Sequence, residues 1–230
     1  MSQQLPQAPD NLQRKLRVAA RALGNAGLVH AYGHCSIRLD SKHFLTCAPE
    51  PMRTITPEEN GSTVPIEGPL PEGVLGEVRI HQHIYRLNPG VNAVCRIMPP
   101  NVMTLSTQGI TPRARHGLGA YFGASVPLWR DPRLLRNDES AKLLVEQMGA
   151  HHAIVMRGNG AVVSGDSIEQ AVSFCWYLED SARIELAVRS MNEGFTDMAL
   201  DEQELIDRYV TTGRVFERMW RHLTLGDPEL

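Results

Sequence analysis

Residues 91–98, VNAVCRIM, follow the helix-stopping run Asn88-Pro89-Gly90 and form the clearest strand of the chain. A period of two places Asn92, Val94, Arg96 and Met98 on one side, and Val91, Ala93, Cys95 and Ile97 on the other. A core strand carrying a guanidinium near its C-terminal end needs an anion for it, either a structural carboxylate or a ligand.

Around this strand, helical periods alternate with short strands. Asp10 or Asn11 is placed to cap a helix over 10–26, with Leu12, Leu16, Val18, Ala19, Ala22 and Leu23 on its apolar face. AYGHCSIRLD enters a strand from a glycine turn, and FLTCAPEPM reads as a second short strand. Residues 50–73 hold five prolines and three glycines and predict a long loop that carries function or small strands. A helix follows over 75–87, with Val78, His81, Ile84 and Tyr85 on one face. A short helix is expected within MPPNVMTLSTQG, a strand at SVPLW and a helix over 138–149. HHAIVMRGNGAVVSG predicts a hairpin with strands 153–156 and 161–164 around Gly158-Asn159-Gly160. Ser167 opens a long helix to about 191, and 201–223 reads as one more amphipathic helix bearing Leu205, Tyr209, Phe216 and Trp220. The pattern predicts an α/β or α+β domain with a mixed sheet.

A chain of 230 residues, 42% of them apolar, buries one sizeable core, so one domain over 1–230 is expected, with 1–9 a flexible leader and 201–230 a helical tail. With 23 Lys+Arg against 26 Asp+Glu, the charge balance argues against nucleic acid as a partner. No run approaches the ~18 apolar residues of a membrane span. The N-terminal segment lacks a signal-peptide pattern, so a cytoplasmic protein without membrane partners is expected. Cys35, Cys47, Cys95 and Cys175 are scattered without a C-x-x-C pair, which predicts reduced thiols.

Several polar residues have a structural and a chemical reading. Glu77 in a helix's first turn complements the dipole, or serves as general acid or base at the mouth of a cleft. His81, one turn on, suits a buried histidine holding that helix. Met98 alone reads as core. Arg157 beside the Asn159-Gly160 turn is either an exposed hairpin arginine or a ligand contact. His34, in Gly33-His34-Cys35-Ser36, and His116, before Gly117, are either contacts to a small anionic or phenolic ligand or solvent-facing loop residues.

Taken together, AYGHCSIRLD, FLTCAPEPMRTITPEE, GEVRIHQHIYRLNPGVNAV, HGLGAYFG and IVMRGNGAVVSGDSIEQAV resemble the class II aldolase/adducin family in order and spacing. The details are most similar to its branch that decarboxylates hydroxylated aromatic or pyridine carboxylates. The resemblance implies a three-layer α/β/α sandwich around a mostly antiparallel mixed sheet. It also implies a homotetramer with sites between subunits, and a divalent metal held by three histidines. Here those three positions are Arg96, Met98 and Asn159, while the acid/base glutamate is retained as Glu77. Arginine repels a cation, methionine is soft, and asparagine is a weak neutral donor, so no metal cofactor is expected. Arg96 and Asn159 are instead placed to stabilise an oxyanion. The expected function is a metal-independent carbon–carbon lyase, a decarboxylase or aldolase, acting on a small anionic aromatic or hydroxy-carboxylate substrate. Its catalytic residues would be Glu77, Arg96 and His116, with His34, Ser36, Met98, Arg157 and Asn159 binding substrate. The alternative is a non-catalytic relative that keeps the fold for binding or assembly.

Overall fold

The computed structural model describes residues 5–191 and 197–230. Helices α1 (Asp10–Asn25), α2 (Arg79–Leu87), α3 (Pro100–Thr107), α4 (Asp138–Met148), α5 (Ile168–Ser190), α6 (Glu202–Arg208) and α7 (Val215–Leu223) surround seven strands. These are β1 (His34–Arg38), β2 (His43–Thr46), β3 (Ser62–Pro65), β4 (Ala93–Ile97), β5 (Leu128–Trp129), β6 (Ala153–Met156) and β7 (Ala161–Gly165). They form one sheet in the order β3-β2-β1-β4-β7-β6-β5. Every pairing is antiparallel except β5 with β6.

Each face of the sheet carries its own core, because alternation sends successive side chains to opposite layers. Cys35, Ala93, Cys95, Ile97 and Val163 pack with α1, α3 and α5. Val94, Ile154 and Val162 pack on the other face with Ile80, Ile84 and Tyr85 of α2 and Leu144 of α4. The expected three-layer α/β/α architecture is therefore the one observed. β4 is the central strand, buried on both faces, and Arg96 points toward the α2 layer with Val94. All four cysteines are buried and free.

Some local expectations need correction. The N-cap of α1 is Pro9, not Asp10 or Asn11, and no side chain caps it. Met1–Gln4 of the expected leader lie outside the described residues, and Leu5, Pro6, Gln7 and Pro9 are exposed, but the segment is anchored at two points. Ala8 joins the core, and Thr63 donates a 2.8 Å hydrogen bond to the Pro6 carbonyl. The entry to α2 is a 3-10 turn, Gly76–Val78, which carries Glu77. The strand expected at SVPLW shrinks to two residues. The single helix expected over 201–223 is two helices. Thr211-Thr212-Gly213 lies between them, and Gly213 (φ 74°) and Arg214 (φ 59°) both turn left-handed, which no continuous helix tolerates.

Candidate active site

A cleft of about 810 Å³ opens at the ends of β1 and β4, lined among others by His34, Glu77, Arg96, Met98 and Asn159. Three elements bring these residues together. In the β1–β4 ladder His34 sits directly opposite Arg96, so both side chains leave the same face of the sheet. The 3-10 turn before α2 delivers Glu77 above them. The β6–β7 turn delivers Asn159. That turn needs glycine at 160, where φ is +78° and a Cβ would lie 1.9 Å from the Ile97 carbonyl oxygen. Gly33 is constrained less severely, by close approach alone: a Cβ there would lie 2.7 Å from a Val29 methyl.

The guanidinium of Arg96, 3% exposed, is the centre of the cluster. Its Nη2 donates a 2.7 Å hydrogen bond to Asn159 Oδ1. Its Nε stands 3.2 Å from Glu77 Oε2, within ion-pair distance but poorly aligned for a hydrogen bond. Burial lowers the Arg96 pKa and Glu77 opposes that shift; a guanidinium keeps its charge in either case. Because arginine only donates, Asn159 must turn its oxygen toward Arg96, leaving Nδ2 free. Besides Arg96 Nε, four buried polar atoms here have no hydrogen-bond partner among the described residues: Arg96 Nη1, Asn159 Nδ2, His34 Nε2 and Glu77 Oε1. Three are nitrogens and one is an acceptor. Buried polar groups in native proteins are paired, so this set points to a ligand rich in acceptor oxygens with one proton to give.

His34 is tied to the core behind it. Its Nδ1 lies 2.9 Å from His81 Nε2. His81 Nδ1 lies 2.6 Å from Ser36 Oγ, which lies 2.8 Å from the Tyr85 hydroxyl. Burial first, then the charges of His81 and Arg96, push the His34 pKa well down. Burial and Arg96 lower His81 to about 3. Both imidazoles are neutral at pH 7. His81 is thus a buried, fully bonded histidine, as its place on the helix face suggested.

Not every expected site residue arrives. Ser36 is fully buried, with both contacts of its hydroxyl inside the core; it lies beneath the cleft and does not line it. Arg157 turns away, its Nε donating a 2.7 Å hydrogen bond to the Arg130 carbonyl. His116 sits on the α5 side of the sheet, 3.8 Å from Asp180, and does not line this chain's cleft. Conversely, Tyr32, Glu50 and Arg136 line the cleft from loops whose sequence shows no period. Arg136 packs against Gly76, beside the catalytic candidate Glu77. A cluster of charged residues flanking the 138–149 helix was the one signal for it.

The family resemblance implies a divalent metal, and this cluster does not fit one. The three ligand positions hold a buried guanidinium, a thioether, and an amide oxygen already accepting from that guanidinium.

An α/β/α sandwich with a polar cleft at the ends of β1, β4 and the β6–β7 hairpin defines an aldolase-like fold. The profile of the class II aldolase and adducin N-terminal domain matches residues 14–186, and the chain belongs to this family. It is 30% identical over 172 residues to the 3,4-dihydroxyphthalate decarboxylase of Rhodococcus jostii, a match covering 71% of this chain and 65% of that protein's length. It is 28% identical over 227 residues to the enzyme of the same name from Arthrobacter keyseri, 90% of each chain. Among solved structures, the L-fuculose-1-phosphate aldolase of Thermus thermophilus superposes with a TM-score of 0.71 at 28% identity, over 79% of this chain and 95% of that one. An aldolase II superfamily protein from Pseudomonas syringae shares the fold with a TM-score of 0.78 at 21% identity, over 94% and 92% of the two chains. The catalysts among these relatives are carbon–carbon lyases, decarboxylases and aldolases. No helix of the described residues is long and apolar enough to cross a membrane.

Proposed function

We propose that the protein is a metal-independent decarboxylase of hydroxylated aromatic carboxylates, in which Arg96 supplies the positive charge that the family's metal supplies elsewhere. The observation that carries this reading is the buried Arg96 guanidinium, held by Glu77 and Asn159 with Nη1 unpartnered at the cleft. Retro-aldol cleavage of a hydroxy-carboxylate passes through the same kind of enolate. The decarboxylase relatives favour the aromatic substrate.

The chemistry needs three things. The bond that breaks joins a ring carbon to the carboxylate carbon. A proton first adds to that ring carbon, and the electron pair of the breaking bond then re-enters the π system and reaches an ortho or para oxygen. Carbon dioxide leaves, and the proton stays in its place on the ring carbon. Arg96 Nη1 and Asn159 Nδ2 face the developing oxyanion, each fixed donor contributing about 3–4 kcal/mol. Glu77, the acceptor paired with Arg96, takes the proton of a substrate hydroxyl and passes it to the ring carbon, and the product oxygen is reprotonated from water. His34 positions the substrate and Met98 provides an apolar wall. Arg136, at the rim, suits a second carboxylate.

His116 lies off this chain's cleft, so a part for it in catalysis requires a neighbouring subunit, which the family resemblance makes one of a homotetramer. Light scattering should give four times 25.6 kDa; a monomer mass would remove His116 from the site.

The deciding assay measures carbon dioxide release from 3,4-dihydroxyphthalate and related hydroxybenzoates by untagged protein, with and without EDTA. Turnover insensitive to chelator is expected. Stoichiometric bound metal, or activity lost to EDTA and restored by a metal, would overturn the metal-free reading. No turnover of any hydroxy-acid would favour a non-catalytic binding protein.

A further inference from the structure

The polar chain behind the cleft has a direction. Tyr85 is fully buried, and burial raises its phenol pKa, so it keeps its proton. Among the described residues its hydroxyl has one partner, Ser36 Oγ. A buried hydroxyl proton without an acceptor is costly, so Tyr85 donates to Ser36. The Ser36 hydroxyl then sends its own proton to its other neighbour, His81 Nδ1, 2.6 Å away. A neutral imidazole carries a single proton. With Nδ1 accepting, His81 holds its proton on Nε2 and donates it to His34 Nδ1 across 2.9 Å. His34, also neutral, is then left with its proton on Nε2, the nitrogen that has no protein partner. Arg96 lies directly across the ladder with unpartnered N–H groups, and none is bonded to His34 Nε2. That agrees with a nitrogen that donates.

We infer that Tyr85, Ser36 and His81 are positioning residues that lock His34 in its Nε2–H tautomer, making it a fixed hydrogen-bond donor to an acceptor oxygen of the ligand. This deepens the proposed function, on which only its kinetic consequence rests. His34 is then neither the base nor a proton relay of the site, because the wire behind it ends at Tyr85 inside the core. Among its buried unpartnered groups, the cleft presents donors from Arg96, Asn159 and His34 against one acceptor, Glu77. Such a donor set grips carboxylate and phenolate oxygens and discriminates against ligands that offer protons at those positions.

The tautomer can be read without any substrate. Multiple-bond 15N–1H spectra of the full-length, histidine-labelled protein at pH 7 distinguish protonated from unprotonated ring nitrogens, with His34 assigned by its loss in His34→Gln. The expected spectrum shows His34 protonated at Nε2 only and His81 at Nε2 only. His34 protonated at Nδ1 would overturn the inference, and so would an even mixture of the two forms. Ser36→Ala should convert the single form into a mixture, whereas Ser36→Thr, which keeps the hydroxyl, should retain it. If Ser36→Ala fails to fold, Tyr85→Phe should produce the mixture instead. Titration with phthalate as a probe should weaken about twofold in the variant with mixed tautomers, the factor that an even population of the two forms imposes. Unchanged phthalate affinity there would remove the donor role from His34. Loss of turnover with the wild-type tautomer intact would count against the lyase reading and leave this inference standing.

Discussion

Arg96 Nε and Glu77 Oε2 stand 3.2 Å apart at the floor of the cleft, one on the central strand and the other on the 3-10 turn that opens α2. The pairing makes each group a condition of the other's burial. It leaves Glu77 Oε1 and Arg96 Nη1 as the two oppositely charged atoms that a ligand can meet.

Glu77→Gln is isosteric and keeps an acceptor oxygen for Arg96, so the fold should survive. In the proposed reaction it loses the proton donor, and kcat should fall by about 10²–10⁴ with little change in KM. Steady-state kinetics on whichever hydroxybenzoate is turned over checks this, and wild-type kcat would remove Glu77 from the chemistry.

Arg96→Met has similar length and no charge. It should lower kcat/KM by about 10²–10³, the scale of one lost oxyanion donor. Arg96→Lys should recover only part of that loss, since an ammonium lacks the planar fork that serves Glu77, Asn159 and a ligand together. Equal activity in Arg96→Met and the wild type would mean that the guanidinium is structural.

Much of this arrangement was legible in the chain. Period-two alternation in 91–98 put Arg96 on the face of Val94, which is the face that packs on α2. The helical spacing of His81 and Tyr85 placed both on the buried side of α2. The same parity, applied to β1, puts Ser36 beside His34 and toward those two residues. The resemblance instead makes Ser36 a ligand contact, because it closes the Gly33-His34-Cys35-Ser36 motif. The meeting of Glu77 and Asn159 at Arg96 is not a matter of local period. It depends on a 3-10 turn and a hairpin turn about 80 residues apart in the chain, and only the family resemblance pointed to it. Tyr32, Glu50 and Arg136 come from loops, where no periodicity reports direction.

Stability should fall with acid earlier than carboxylates alone would require. His34 and His81 are neutral in the fold, with pKa values pushed down by burial and by Arg96; Phe44, Ser36 and Tyr85 pack around His81 without offering a charge that would favour the imidazolium. In the unfolded chain each titrates near ~6.5. Their folded pKa values are depressed, so the unfolded state binds more protons below that point. The stability they contribute is complete above pH ~6.5 and is lost as pH falls. At pH 5 the loss is about 2 kcal/mol for each histidine. Urea midpoints at pH 7 and pH 5 measure it. A midpoint unchanged between the two would contradict the neutral pair.

The C-terminal segment should act as a latch on α1. Arg21 donates from Nε and Nη2 to the two carboxylate oxygens of Asp227, both at 2.7 Å, and from Nη1 to the Ile55 carbonyl at 2.9 Å. Its Nη2 also reaches Glu229 at 2.8 Å, and Glu229 in turn accepts from Arg17 at 2.6 Å. Arg21 and Asp227 are 7% and 5% exposed, so this bidentate pair is a buried one. Removing Asp227 leaves Glu229 as the one remaining carboxylate partner of Arg21. Asp227→Ala should therefore cost about 3 kcal/mol, the low end of the scale for breaking a buried pair. Replacing Arg21 with methionine in the same chain should recover part of that loss, because the guanidinium that lost its bidentate partner is then gone while Glu229 keeps Arg17. Glu229 is held at about 2 by its hydrogen bonds to Arg17 and Arg21 against the opposing cost of burial. A depressed carboxylate contributes above its unfolded pKa of ~4.3 and loses that contribution as pH falls toward 2. The latch should thus weaken two to three pH units below the onset of the histidine effect, at roughly pH 4. Glu229→Gln should shrink this lower step in the pH dependence of the urea midpoint, to which Glu185 and other depressed carboxylates also contribute, and leave the upper one in place. A lower step of undiminished size in Glu229→Gln would assign it to those other carboxylates.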